Sequence, residues 1–167
     1  IEEAQAAHDV ATEVLKDATA PWDVYGAVSQ MGALALTVTR QTALTDLVIL
    51  PKPYGAGRTS EDVAIMEAAL FSTRTPILVL PEGSDKPHQP KRIVLAWNQS
   101  AEAVTAIRAA IPLMQQADLV SIAIIDPPHH DAHQSDPGVL LAEMLSRHGI
   151  SCDISVLAKT MPRVSDV

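Results

Sequence analysis

The chain has 167 residues, 47% of them apolar, with 12 Lys and Arg against 20 Asp and Glu and a formal net charge of −8. That acidic balance excludes the usual nucleic-acid binder, whose affinity for the phosphate backbone comes from clustered Lys and Arg, and a chain of this length buries a core without needing disulfides. The single cysteine, Cys152, excludes an internal disulfide framework; with no apolar run near the ~18–20 residues that cross a bilayer and no charged-then-apolar leader, the expectation is a soluble, reduced, cytoplasmic protein.

Ala4, Ala7, Val10, Ala11, Val14, Leu15 and Ala18 recur at helical spacing, with Glu2, Glu3, Asp9, Glu13, Lys16 and Asp17 mostly off the stripe. The pattern predicts an amphipathic helix ended by Pro21. Trp22–Val28 reads as a short strand, and Met31–Ala43, rich in Ala and Leu but carrying several Thr, as a second helix of moderate propensity. Leu47–Leu50 is a continuous apolar run closed by Pro51, the pattern of a parallel strand covered on both faces. After a loop, Thr59 or Ser60 caps a helix running to about Ser72, with Asp62 at the capping-box position opened by Thr59. Ile77–Leu80 is a strand bracketed by Pro76 and Pro81. Proline has no ladder donor, which places this strand at or near a sheet edge.

The polar, proline-bearing stretch 83–91 is the natural linker, dividing the chain into 1–82 and 92–167. Beyond it, Ile93–Trp97 is a strand, and Ser100 caps a helix with Val104, Ile107, Ile111 and Met114 inward, bent or broken at Pro112. Leu119–Ile125 is the next strand. Asp136 and Pro137 then open a helix bearing Leu140, Leu141, Met144 and Leu145, which Gly149 stops. Cys152–Leu157 is a further strand, and Pro162 starts another helix. Strands alternate with helices throughout, so the fold class is α/β with a mainly parallel sheet.

Sliding the chain by about 130 positions lays Glu13 on Glu143, Leu15 on Leu145, Asp23 on Asp153 and Met31 on Met161. Two unrelated helix-then-strand units would overlay similarly by chance. Taken as a repeat, the overlay means tandem domains of which the chain holds the end of one and the start of the next. Ile1 in place of Met, and Val167 just after a helix start, agree with a chain cut from something longer.

Four segments carry a resemblance to a known family: Thr45–Pro51 (T-D-L-V-I-L-P), Glu67–Pro81 (ending I-L-V-L-P), Arg92–Ala103 (R-I-V-L-A-W-N-Q-S-A-E-A) and Ala106–Ala117. In this order the chain resembles the universal stress protein family in its tandem two-domain form. The resemblance implies five-stranded, doubly wound parallel domains of order 3-2-1-4-5. Trp22–Val28, Leu47–Leu50 and Ile77–Leu80 then become strands three to five of a first domain, and Ile93–Trp97, Leu119–Ile125 and Cys152–Leu157 strands one to three of a second. Strands three, four and five are not neighbours in that order, so the first half could not close its own sheet. Either upstream residues exist, which is favoured, or the second half completes the first like a permuted domain.

In nucleotide-binding members of the family the phosphates sit on a glycine-rich turn after strand four. Glycine lets backbone N–H groups approach an anion at a helix N-terminus. Here Gly55 and Gly57 have the wrong spacing and Val63-Ala64 replaces the expected Gly-Ser/Thr, so the turn is read as a tight polar loop, able at most to hold a small anion. The family's adenosine site would fall on Trp97, Asn98, Gln99 and Ser100 at the end of strand one, with Asp126 at the end of strand two. Asn98 stands where the family usually has Asp. The plainer alternative is that Ser100 caps its helix and Trp97 fills core.

His129, His130, Asp131 and His133 offer metal-compatible donors but no completing motif, and read as a solvated loop with no metal site. Cys152 has no basic neighbour to activate it. No catalytic motif is present, so the expectation is a non-enzymatic stress-response module that senses a ligand or binds a partner. Its first domain lacks the ATP turn, and it self-associates through the edge strand Pro76, Ile77, Leu78, Val79, Leu80 and Pro81. The alternative is an ATP-binding, weakly hydrolysing switch whose turn lies beyond Val167, with ATP as its cofactor.

Overall fold

Strands and helices alternate along the chain, and every strand pair among the described residues is parallel. The computed structural model describes residues 2–83, 89–126 and 137–160. The fold is α/β, in two units, Ile1–Gly83 and Ser84–Val167, with two separate sheets.

In the first unit, α1 (Glu2–Leu15) uses only part of its apolar stripe. Ala4, Ala11 and Leu15 are half-buried, whereas Val10 and Val14 are exposed. Trp22–Val28 was expected as a strand and forms none. A strand needs a neighbour for its backbone groups; this segment instead lies beside α1, where Val24–Ala27 and Ala4, Ala7 and Ala11 line one cleft. A 3-10 turn, Met31–Ala33, leads into α2 (Leu34–Thr42). The threonines of α2 return their hydroxyls to the carbonyls four residues back: Thr37 to Ala33 at 3.1 Å, Thr39 to Ala35 at 2.7 Å and Thr42 to Val38 at 3.0 Å. That satisfies each hydroxyl without leaving the helix.

Strand β1 (Val48–Pro51) pairs in parallel with β2 (Ile77–Leu80), Val48 opposite Ile77 and Pro51 opposite Leu80. The crossover between them is α3 (Ser60–Glu67), which runs on through a π-helical turn, Ala68–Ser72. Ala68, Ala69 and Thr75 are buried, and the Thr75 hydroxyl donates to Thr42 O at 3.1 Å. The strands are not covered on both faces as expected: Ile49 is 56% and Val79 43% exposed. One right-handed crossover places its helix on one face only, and a second layer needs further connections.

The second unit is a β-α-β-α-β run. Strand β3 (Arg92–Ala96), β4 (Leu119–Ile125) and β5 (Cys152–Leu157) stand in spatial order β3-β4-β5. Helix α4 (Ala101–Met114) joins the first two and α5 (Val139–Arg147) the last two. Sequential right-handed crossovers put both helices on the same face, and the core agrees: Leu95, Val120, Ile122 and Ile124 pack with Ile107 and Met114 of α4 and Leu141 and Leu145 of α5. The other face carries Val94, 69% exposed, and half-buried Ser121, Ala123 and Ile125.

Pro112 does not break α4. It has no N–H to bond back along the helix, but only Leu113 and Met114 follow it there, and Gln115 N–H still reaches Ile111 O at 3.0 Å. Leu140, one of the apolar residues read on this helix, is 70% exposed, because Leu141 and Leu145 define the buried stripe of α5. Gly149, at φ 76°, ends that helix, with Ile150 N–H returning to Leu145 O at 3.1 Å. Asp136 and the helix expected from Pro162 lie outside the described residues.

Gly138, the N-cap of α5, has ordinary φ and ψ of −92° and −19°, so its constraint is steric rather than conformational. A Cβ there would stand 2.9 Å from Ile154 Cγ2 and 3.2 Å from Ile124 Cδ1. Gly138→Ala is therefore expected to destabilise the protein by about 1–3 kcal/mol. Urea unfolding followed by tryptophan fluorescence checks this, and adding Ile154→Val should recover part of the loss.

Candidate functional site

The candidate ligand site of the second unit lies where β3 and β4 end side by side. Trp97 N–H continues the ladder to Ala123 O at 2.9 Å, and the indole Nε1–H donates to Pro137 O at 2.7 Å. With its ring against the core, Trp97 is half-buried and fixed at both ends. Asn98 Oδ1 accepts from Ser100 N–H at 3.0 Å, and Ser100 Oγ accepts from Ala103 N–H at 3.1 Å. Both oxygens thus build the turn and cap α4, as the plainer sequence reading has it for Ser100. Gln99 between them adopts φ 63°, and Asp126, at φ 49°, donates its N–H to Leu157 O at 2.9 Å. Non-glycine residues in this left-handed region are uncommon, and two adjoining strand ends each carry one. The side chains of Asn98, Gln99 and Asp126 are exposed, leaving the Asn98 amide nitrogen, the Gln99 amide and the Asp126 carboxylate facing solvent.

In the first unit, Gly55 (φ 122°) and Gly57 (φ 76°) shape the turn after β1, closed by Arg58 N–H to Gly55 O at 3.3 Å. Thr59 and Asp62 form the capping box read from the sequence. Asp62 accepts from Thr59 N–H at 2.7 Å, and Thr59 Oγ1 accepts from Glu61 N–H at 3.2 Å. The hydrogen bonds from Thr59 backbone and hydroxyl, with the Arg58 guanidinium 3.9 Å away, hold the Asp62 carboxyl below its ordinary value. This turn has the backbone of an anion cradle but the wrong charges. The Asp62 carboxylate already occupies the helix N-terminus, and Glu82 Oε1 lies 3.6 Å from where a Gly55 Cβ would be.

One feature had little signal in the sequence, and a second agrees with its sequence reading. His8 Nδ1 is buried without a hydrogen bond, 3.6 Å from Asp9 Oδ1, in the cleft of about 320 Å³ between α1 and Val24–Ala27. Its only sequence mark is a histidine beside an alanine stripe. Cys152, half-buried at the start of β5, has its thiol pushed up by burial and then by the Asp153 charge, opposite to an activated nucleophile. The histidine-rich cluster His129, His130, Asp131 and His133 lies outside the described residues, and among those described no group of three metal-ligating side chains comes together. No described helix is long and apolar enough to cross a membrane.

No protein-family model matches the chain, and no curated protein matches it.

Two pH dependences follow from these environments. A carboxylate held below its unfolded value of about 3.9 contributes stability that is present above that pH and lost as pH falls through the folded value. Wild type should therefore exceed Asp62→Asn in stability at neutral pH, with the difference closing below about pH 4, read by denaturant midpoints across an acid series. Alkylation of Cys152 by iodoacetamide should show a midpoint above the ordinary thiol value of about 8.5. Asp153→Asn should lower that midpoint only part of the way, because burial is the larger cause.

Proposed function

We propose that the chain is a non-enzymatic ligand-sensing or partner-binding module of universal stress protein type in tandem form, with its ligand site at the carboxyl end of β3. In this reading β5, β4 and β3 are strands three, two and one of one domain of order 3-2-1-4-5, and β1 and β2 are strands four and five of another. The observation that carries it is the pair of left-handed residues, Gln99 and Asp126, ending two neighbouring parallel strands. In open parallel sheets ligands collect outside such carboxyl ends. Asn98, Gln99 and Asp126 offer hydrogen-bonding groups suited to an adenine nucleoside. The first unit is poorly suited to a triphosphate, since the Asp62 carboxylate already takes the helix N-terminus and pairs with Arg58, the cation of the turn, while Glu82 adds negative charge beside Gly55. Self-association through Pro76–Pro81 is supported by the outer edge of β2, which is unpaired among the described residues and exposes Val79 and Leu80.

Calorimetric titration of the chain with adenosine and with Mg-ATP tests the reading. Adenosine and ATP should bind with affinities within a few-fold of each other, and Asn98→Ala and Asp126→Ala should each weaken both about tenfold. No heat with either ligand overturns the site. ATP binding far tighter than adenosine, and indifferent to both substitutions, overturns it in favour of a phosphate-driven switch.

A further inference from the structure

The outer edge of β5, beside α5, takes no part in the site above. Leu157 gives its carbonyl to Asp126 N–H of β4 at 2.9 Å. Backbone groups of successive strand residues turn to opposite sides, so Cys152, Ile154 and Val156 direct their N–H and C=O outward. Among the described residues β5 pairs with no strand but β4. Alongside this edge, against α5, lies an open groove of about 600 Å³, lined by apolar Val139, Ala142, Ile150 and Ile154, with Glu143 and Arg147 also lining it. Val156, on the same face of the strand as Ile154, is 56% exposed.

We propose that this edge pairs with the same edge of a second copy of the chain, antiparallel about a two-fold axis at Ile154, joining two three-stranded sheets into one continuous sheet. The axis sets Ile154 opposite Ile154 and Cys152 opposite Val156 of the second copy. Every outward donor then meets an acceptor, and the second copy's Ile154 and Val156 enter the groove. The choice of occupant rests on charge. Glu143 and Arg147 form an i,i+4 pair at 3.7 Å, both exposed at the groove. The two-fold axis runs the two α5 helices antiparallel on one face of the sheet, so Glu143 of each copy approaches Arg147 of the other. A rim of one sign would repel its own copy; this one is complementary to itself.

The proposal does not rest on the stress-protein reading, and pairing through β2 would leave Val156 untouched. Sedimentation equilibrium of the full chain from micromolar to millimolar concentration tests it. Reversible self-association is expected, a monomer–dimer equilibrium where β5 is the one pairing edge and larger species where β2 pairs as well. Val156→Pro removes one outward donor while sparing the β4 ladder, and Val156→Lys places a charge on the edge; each should weaken the dimer at least about tenfold, with circular dichroism verifying the fold. Glu143→Arg alone should weaken it, and Glu143→Arg with Arg147→Glu should restore it. A chain monomeric throughout the range, or a dimer of unchanged strength in both Val156 variants, overturns the proposal.

Discussion

The second unit depends on β4 being the one described strand paired along both edges. Its alternate residues Val120, Ile122 and Ile124 are buried, Ile122 completely, and they lie opposite Ile93, Leu95, Cys152 and Ile154 through the two ladders. Burying one such side chain contributes about 1.5–3 kcal/mol, so this row is the largest apolar contribution in the sheet. It also sets direction. With β4 central and both neighbours parallel to it, the two crossovers must lie on one face, and the ends of β3 and β4 must open on the same side. The candidate site is a consequence of that geometry before any polar residue is considered.

At both candidate turns, polar atoms hold the backbone first and face a ligand second. Asn98 and Ser100 each give an oxygen to an N–H of the turn or the first turn of α4, and Asp62 does the same for α3. The difference lies in what remains. Around Gln99 an amide nitrogen, a second amide and one carboxylate face solvent among the described residues, whereas around Gly57 the Asp62 carboxylate is already engaged by the helix N-terminus and Arg58. Both turns use left-handed backbone at a helix start, and they differ in which side-chain groups are left to meet a ligand.

Much of this was legible because local physics decides it. The Thr59–Asp62 box, the Ser100 cap and the Gly149 stop rest on interactions within five residues, and each stands where its residue types put it. Trp22–Val28 had strand composition but no strand beside it, and pairing is a tertiary property that composition does not carry. Val10, Val14 and Leu140 failed for a related reason: periodicity identifies an apolar stripe but not how wide a neighbour will cover it. The groove beside β5 had no sequence signal, since it arises from the spacing between an edge strand and the helix that leads into it. That Asn98 Oδ1 is taken up by Ser100 N–H likewise depended on a rotamer, which no spacing rule reports.

The sheet of the first unit has a consequence for how the chain behaves when crowded. Its strands, V-I-L-P and I-L-V-L, are short, branched and partly solvent-facing, the composition from which cross-β fibrils nucleate. Pro51 ends one strand, and Pro76 and Pro81 flank the other. A stacked array must donate a hydrogen bond from every residue, and these prolines interrupt the register at three of the four strand ends, which limits the length over which amyloid-like stacking could run.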